Sequence, residues 1–210
     1  AFIGYVHRIA ARIDGDYDLV AGALSSNPAT AVESGKNLGF AADRIYTSYE
    51  EMAAKEAARP DGIQAVSIVT PNHMHYGPAK AFLEAGIHVI CDKPLTSTIE
   101  DARALAAIKP KKGAKFLLTH NYTGYPLIRQ ARELVASGAL GKIRVVQAEY
   151  AQDWLTNAAD PGNKQASWRT DPKRSGAGGA IGDIGTHAYN LLRFVTGLKT
   201  EAVSADLQSF

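Results

Sequence analysis

The sequence has little of what several protein classes require. It contains one cysteine among its 210 residues, which excludes a disulfide framework within it. No apolar run approaches the roughly 20 residues of a membrane span, and no signal peptide is visible. The formal net charge is +2, without the clustered basic excess that nucleic-acid binding needs. We therefore expect a cytoplasmic protein with no membrane and no nucleic-acid partner.

The sequence does contain an alternation of strand-like and helical segments. It is 46% hydrophobic and 21% charged, which suits one large or two small domains with real cores. Short apolar runs separated by helical spacing predict an α/β fold with a doubly wound parallel sheet and crossover helices. The predicted strands are 18–24, 65–70, 88–91 and 115–119. The predicted helices are 28–38, 48–59, 76–85, 98–108 and 126–137, with Ser97 and Glu100 forming a capping box before 98–108.

Both ends of the sequence depart from this pattern. Residues 1–13 are helix-like with no strand before them, so we expect the central strand of the sheet to lie outside the sequence and strands 18–24 and 65–70 not to pair directly. Residues 143–150 alternate apolar and polar side chains, which predicts a half-exposed antiparallel strand, and 202–210 is predicted as a strand without a partner. We expect an N-terminally incomplete domain over 1–121 and a C-terminally incomplete one over 122–210.

The segment Cys91-Asp92-Lys93-Pro94 follows a predicted buried strand. Because parallel sheets gather ligands at the carboxyl ends of their strands, Lys93 is a candidate catalytic residue at the mouth of a crevice. Asp92 is predicted to hold its ammonium group, and Pro94 to end the strand. The alternative is a lysine in a surface turn.

A second polar segment, residues 70–75, follows the strand 65–70 at the same edge. Asn72 and His75 there can offer donors to a ribose or phosphate. Alternatively, His73 and His75 cap the next helix, or bind a metal. Zinc needs three or four ligands and no Cys/His cluster supplies them, so we predict no metal site.

The glycine-rich segment 176–187 contains Asp183 and His187. On a helix these residues, four apart, share one face, so the carboxylate can orient an imidazole that exchanges a proton with substrate. The alternative is a helix N-terminus with a buried histidine. Trp168 and Arg169 lie before this segment in a predicted polar loop that suits a polyhydroxylated or acidic ligand, although core packing also explains a tryptophan.

Three motifs together resemble a known family. TPNHMHY at 70–76, CDKP at 91–94 and GAGGAIGDIGTH at 176–187 follow the order found in the Gfo/Idh/MocA oxidoreductases, which are related to glucose–fructose oxidoreductase and inositol dehydrogenase. The resemblance covers nearly the whole chain. It implies a Rossmann domain that binds NAD or NADP, then an α+β substrate domain with an open antiparallel sheet. It also implies hydride transfer to or from a sugar, cyclitol or related polyol, and a homo-oligomer, either a dimer or a tetramer.

The resemblance also implies roles for individual residues. The catalytic residues are Lys93, Asp183 and His187. The cofactor-binding residues are Gly4, Ser25, Ser26, Thr70, Pro71, Asn72, His75, Asp92, Lys93 and Asn121. The substrate-binding residues are Lys93, Tyr122, Trp168, Arg169, Asp183 and His187. The end of the second strand, 23–27, lacks the acid that binds the ribose of NAD, which slightly favours NADP.

Several alternatives stay open at this point. The same scaffold can bind a dinucleotide without turnover, as a regulatory protein, and the intact Lys93, Asp183 and His187 argue against that. It can also support a lyase or hydrolase that uses tightly bound NAD. Within a dehydrogenase, either Lys93 or His187 can be the base.

Overall fold

The fold was analysed in a computed structural model that describes residues 2–208 except 158, 159, 161, 177 and 180. Short strands alternate with helices through the first two thirds of the chain, as predicted. The strands are β1 (Gly22–Ala23), β2 (Ile45–Tyr46), β3 (Ala65–Ile68), β4 (His88–Asp92) and β5 (Phe116–Thr119). The helices are α1 (Phe2–Ile13), α2 (Pro28–Asn37), α3 (Tyr49–Ala58), α4 (Tyr76–Ala85), α5 (Ile99–Ala106), α6 (Pro126–Ala136), α7 (Lys164–Arg169), α8 (Pro172–Ser175) and α9 (Thr186–Thr196). None of the described helices is long and apolar enough to cross a membrane.

The strands form two parallel sheets within the described residues. β1 pairs with β2, and β4 lies between β3 and β5. Val89 of β4 pairs with Val66 on one side and with Phe116 on the other. β1 and β3 do not pair with each other in the described part of the chain, as expected from the sequence. The parallel order places the carboxyl ends of β3, β4 and β5 at one edge.

Local sequence signals fix most of the helix ends. The side chains of Asn27 and Ser48 accept hydrogen bonds from the backbone N–H three residues on and so begin α2 and α3. The predicted capping box before α5 is wrong, because Thr98, not Ser97, caps the helix by accepting from the N–H of Asp101. The two possible caps are adjacent residues of the same chemical type, and the local pattern does not choose between them.

Two predicted strands are absent from the described part of the chain. Residues 143–150 and 201–208 have no regular structure, while residues 209–210 lie outside the described residues. Val145 is 85% exposed. A strand is stable only when the backbone of a neighbouring strand pairs with it. The alternation of apolar and polar residues indicates that one side of a segment is exposed, but it does not show that a pairing strand is present. The strand predicted at 18–24 is likewise reduced to Gly22–Ala23, which pairs only with β2, a strand that the sequence did not predict.

The core forms around β4, which carries the candidate lysine at its end. Val89 and Cys91 of β4 are fully buried and pack with Ile68 of β3 and Phe82 of α4. Burial raises the pKa of the Cys91 thiol to about 12, so the only cysteine is an unreactive core residue. A rigid central strand therefore ends at Asp92, directly before Lys93.

A buried ion-pair network joins β2 to α3. The carboxylate of Glu56 is 1% exposed and accepts hydrogen bonds from the Arg44 guanidinium, from the Tyr46 hydroxyl at 2.7 Å and from the backbone N–H of Ile63 at 3.0 Å. Burial alone would raise the pKa of Glu56, but these bonds outweigh it and hold the pKa below its usual value. All the charged atoms at this junction are therefore paired or hydrogen bonded.

We predict that Glu56→Gln lowers the free energy of unfolding by about 3–5 kcal/mol, because it removes the close counter-ion of the buried Arg44 charge and leaves the exposed Asp61 carboxylate, 3.6 Å away, in its place. Urea unfolding of the full-length protein measures this. Glu51→Gln is the control, since Glu51 pairs with Lys55 on the exposed face of α3, and it should leave the free energy of unfolding almost unchanged. The difference should shrink in acid, as the low pKa of Glu56 requires. Equal losses in the two variants would contradict the prediction.

Candidate active site

Lys93 is held by the glycine-rich segment and not by its own loop. Its Nζ donates to the Asp183 carboxylate Oδ1 at 2.7 Å and to the Asp183 backbone oxygen at 2.7 Å. Both side chains are mostly buried, with 15% and 16% of their surface exposed. An ammonium group has three N–H donors, so one remains without a partner among the described residues. The lysine is therefore not a surface turn residue, and that alternative is wrong.

Asp92 does not hold the lysine, which corrects the prediction. Its Oδ1 accepts from the Thr119 hydroxyl at 2.6 Å and lies 3.8 Å from Nε2 of His7. Consecutive side chains of a strand point to opposite faces, so Asp92 and Lys93 cannot both turn to the same side. Burial alone would raise the pKa of Asp92, but the neighbouring His7 and the hydrogen bond from Thr119 keep that pKa below its usual value. Asp92 thus joins β4 to β5 and α1.

Asp183 lies between two cations. Its Oδ1 pairs with Lys93, and its Oδ2 accepts from Nε of Arg169 at 2.9 Å. Burial alone would raise the pKa of Asp183, but the two cations outweigh it and hold the pKa below its usual value. Asp183 is thus a carboxylate whose two oxygens are both occupied.

The predicted hydrogen bond between Asp183 and His187 is not formed. Residues Ile181–Gly185 form a π-helical turn before α9 begins at Thr186. A π turn closes its hydrogen bonds between residues five apart and not four, so the backbone around Asp183 does not have the regular α-helical geometry that the prediction assumed. The carboxylate reaches Lys93 and Arg169 instead.

His187 is a buried, neutral imidazole beside the Lys93 ammonium. It is 9% exposed, and its ring contacts that of Tyr122 edge-on, with 4.7 Å between centroids. Burial, together with the charges of Lys93 and His120, lowers its pKa to about 4. Neither of its ring nitrogens hydrogen bonds to another described residue. His187 can therefore accept a proton from a ligand at neutral pH.

Three further side chains surround His187. The Tyr122 hydroxyl shares a hydrogen bond with the Tyr150 hydroxyl, and this bond raises the pKa of Tyr122 to about 12. His120 stacks edge-on against His187 at 6.3 Å, and its Nδ1 is buried without a partner among the described residues. Tyr150 was missed from the sequence, although its place at the end of the alternating segment 143–150 could have indicated it. The surroundings of His187 are therefore largely aromatic.

Backbone contacts bring the three motifs together, as predicted. Asn72 Nδ2 donates to the Ser175 carbonyl oxygen at 3.1 Å. Gly176 has φ +91°, and a Cβ on it would lie 2.5 Å from the Ser97 carbonyl oxygen, so only glycine fits there. Gly176 thus allows the backbone of the glycine-rich segment to lie close to the loop that follows Lys93. Ala177 and Ala180 of the same segment lie outside the described residues.

Comparison with known proteins identifies the family that carries these motifs. Residues 1–131 match the model of an oxidoreductase family with an NAD-binding Rossmann fold, and residues 128–210 match the GFO/IDH/MocA C-terminal domain. The chain belongs to the Gfo/Idh/MocA family. The resemblance seen in the sequence, and the Rossmann fold that it implies, are confirmed.

Individual relatives extend beyond this chain. An oxidoreductase from Sinorhizobium meliloti is 55% identical, with a TM-score of 0.83 over 96% of this chain and 51% of its own. An inositol dehydrogenase homolog from Azotobacter vinelandii, solved with NADH and myo-inositol, is 39% identical, with a TM-score of 0.85 over 94% and 50%. Levoglucosan dehydrogenase from Pseudarthrobacter phenanthrenivorans is 36% identical over 88% of this chain and 44% of its own. The chain spans about half the length of these relatives.

The structure corrects one predicted cofactor ligand of this Gfo/Idh/MocA chain. His75 is 1% exposed, and its two ring nitrogens face the carbonyl oxygens of Pro94 at 2.8 Å and Thr70 at 3.0 Å. A ring with both nitrogens occupied inside the protein has none to offer a ribose or phosphate. His75 joins the loop after β3 to the loop after β4. It does not cap α4 with its side chain either.

The other predicted cofactor residues differ in whether their side chains are already hydrogen bonded within the protein. Asn72 is buried and bonded to Ser175, and the Thr70 hydroxyl donates to the Met74 carbonyl oxygen at 2.9 Å. Pro71 precedes the turn Asn72–Met74. Ser25 accepts from the N–H of Asn27 at 3.1 Å. Ser26 and Asn121 are exposed, and their cofactor contacts stay predictions. No group of three or more His, Cys, Asp or Glu that could hold a metal occurs in the described residues.

We predict that His187 remains neutral at neutral pH and titrates near pH 4, as its lowered pKa requires. NMR of the ring protons against pH measures this in the full-length protein. Lys93→Met should raise the pKa, because removal of the ammonium charge removes a repulsion against the imidazolium. Lys115→Met is the matched control, since Lys115 is exposed and precedes β5 at the opposite edge. An unchanged titration in Lys93→Met would show that the two groups do not interact.

Proposed function

We propose that the protein is an NAD(P)-dependent oxidoreductase that moves hydride between nicotinamide and a secondary alcohol of a sugar, cyclitol or related polyol. The observation that carries the proposal is the placement of the Lys93 ammonium beside a neutral His187 whose ring nitrogens form no hydrogen bond with the described residues. An alcohol that becomes a carbonyl must lose a proton as well as a hydride. Lys93 and His187 have the chemistry to remove that proton, one as a cation near the oxygen and the other as a base. One relative is a levoglucosan dehydrogenase and another was solved with NADH and myo-inositol, which supports this substrate class.

The residues at the carboxyl edge fit a dinucleotide. Gly4 lets α1 pass close to the end of β3, where a Cβ on it would lie 3.4 Å from Cγ2 of Val69. The exposed side chains of Ser26 and Asn121 follow β1 and β5. No acid stands at the end of β1 to repel a 2′-phosphate, so we propose that either NAD or NADP is accepted. When bound, the nicotinamide supplies the hydride chemistry.

Lys93 would stabilise the substrate oxygen. Two of its three N–H donors are bonded to Asp183, which fixes the direction of the third. A charged donor aimed at an oxygen stabilises the negative charge that develops as its proton leaves. Asp183 acts on Lys93, and Tyr122, whose ring lies edge-on against His187, would line the substrate side of the pocket.

His187 would take the proton from the substrate hydroxyl. A general base must be unprotonated at the working pH and within reach of the hydroxyl. The lowered pKa of His187 meets the first condition, and the absence of hydrogen bonds to described residues leaves its nitrogens open to substrate. Either a homodimer or a tetramer stays a prediction from the resemblance.

We predict that Lys93→Met reduces turnover of a polyol by roughly 10²–10⁴-fold, the usual scale for a proton-transfer or polarising group. Binding of NADH, measured by its fluorescence, should be nearly unchanged, because methionine keeps the length of the stem and removes only the charge. Lys115→Met again serves as the control. Parental turnover in Lys93→Met would make the lysine structural. Binding of NADH by the wild-type protein without turnover of any polyol would instead favour a regulatory role.

The pH profile of His187→Asn tests the base. In the wild type, alcohol oxidation should fall as the pH drops through about 4, because a protonated imidazole cannot accept a proton. Asparagine keeps a donor but does not titrate in this range, so the variant should be slow and lack this acid limb. Asp183→Asn should weaken turnover less than His187→Asn. An acid limb that survives in the His187 variant would assign the base to Lys93.

A further inference from the structure

Arg169 is the second cation that contacts Asp183. The sequence placed it in a loop as a substrate ligand, yet it ends α7, and its guanidinium is bonded on two edges within the protein. Nε donates to Asp183 Oδ2 at 2.9 Å, and Nη1 donates to Oε1 of Gln165 at 2.7 Å. Its plane lies over the ring of Trp168, with 4.2 Å to the centroid. These contacts hold the guanidinium in one orientation.

The three linked groups Lys93, Asp183 and Arg169 carry an excess of positive charge, while Asp92, the carboxylate next to Lys93 in the sequence, is bonded to Thr119. Lys93 and Arg169 share one carboxylate, so the three groups together carry a net charge of +1. Without Arg169, the Asp183 carboxylate would have Lys93 as its only cationic partner. Asp183 Oδ2 would then lose its donor in a mostly buried position, and the carboxylate would be free to turn both oxygens toward the ammonium.

We propose that Arg169 is a positioning residue for the proposed reaction and not a substrate ligand. By holding Asp183 Oδ2, it keeps Oδ1 on Lys93 and leaves the third N–H of Lys93, with the surplus charge, for the substrate oxygen. Charge that is not neutralised by Asp183 is available to an oxygen that becomes negative in the transition state. The inference rests on the proposed function, because it assigns Arg169 to the same step as Lys93.

A double-mutant cycle tests this inference in the full-length protein. Arg169→Gln should lower kcat by about 10–100-fold and change KM for the polyol by less than about 3-fold. In the Lys93→Met background the same substitution should have almost no further effect, because residues that act through one another are not additive. Arg169→Lys, which restores the charge without the planar fork, should recover part of kcat. Arg103→Gln, on the exposed face of α5, is the matched control.

The outcomes separate this inference from the proposed function. Absence of polyol turnover in the wild-type protein overturns the proposed function itself, whereas parental turnover in Lys93→Met overturns the role of Lys93 and, with it, that of Arg169. If Lys93→Met is slow but Arg169→Gln is not, only the role of Arg169 is wrong. If Arg169→Gln raises KM for the polyol and leaves kcat unchanged, Arg169 is a substrate ligand. If the losses in kcat of the two single variants multiply in the double variant, Arg169 does not act through Lys93. Should Arg169→Gln fail to fold, Gln165→Ala on the outer edge of the guanidinium replaces it in the same cycle, with a smaller expected loss of kcat and the same non-additivity.

Discussion

The ion pair between Lys93 and Asp183 is the contact on which the site depends. It joins residues 90 positions apart in the sequence, the first at the end of the central strand β4 and the second in the turn before α9. Because both partners are mostly buried, removal of one would leave an uncompensated charge in a region of low dielectric. The pair therefore fixes the glycine-rich segment against the carboxyl edge, and with it the position of His187.

Electrostatics gives the two candidate catalytic groups different protonation states. Burial disfavours a positive charge on His187, and the ammonium of Lys93 adds to the effect, so the pKa of His187 is lowered and the imidazole stays neutral. The same ammonium, with Arg169, keeps Asp183 ionised against the opposite effect of burial. One cation thus contributes to the charge state of both neighbours. A charged donor placed beside a neutral base is typical of sites that move protons.

The sequence predicted the parts of this structure that depend on local pattern and on topology. Apolar runs and helical spacing located β3, β4, β5 and most helices, and the parallel order of strands implied that residues 70–75 and Lys93 would share one edge. It did not predict the partner of each charge. Whether Asp92 or Asp183 holds Lys93 depends on strand pleating and on the π turn at Ile181–Gly185, neither of which the residue types alone specify.

The same distinction explains why Arg169 was assigned to substrate. An arginine beside tryptophans in a polar stretch has the chemistry of a ligand for hydroxyls or acids, and composition cannot tell whether its donors face a cavity or a carboxylate. The structure decides, since Asp183 and Gln165 occupy two edges of the guanidinium and Trp168 covers one face. An arginine with these contacts exerts its charge and its hydrogen bonds on its protein partners, above all on Asp183. Its influence on substrate must then pass through Asp183 to Lys93.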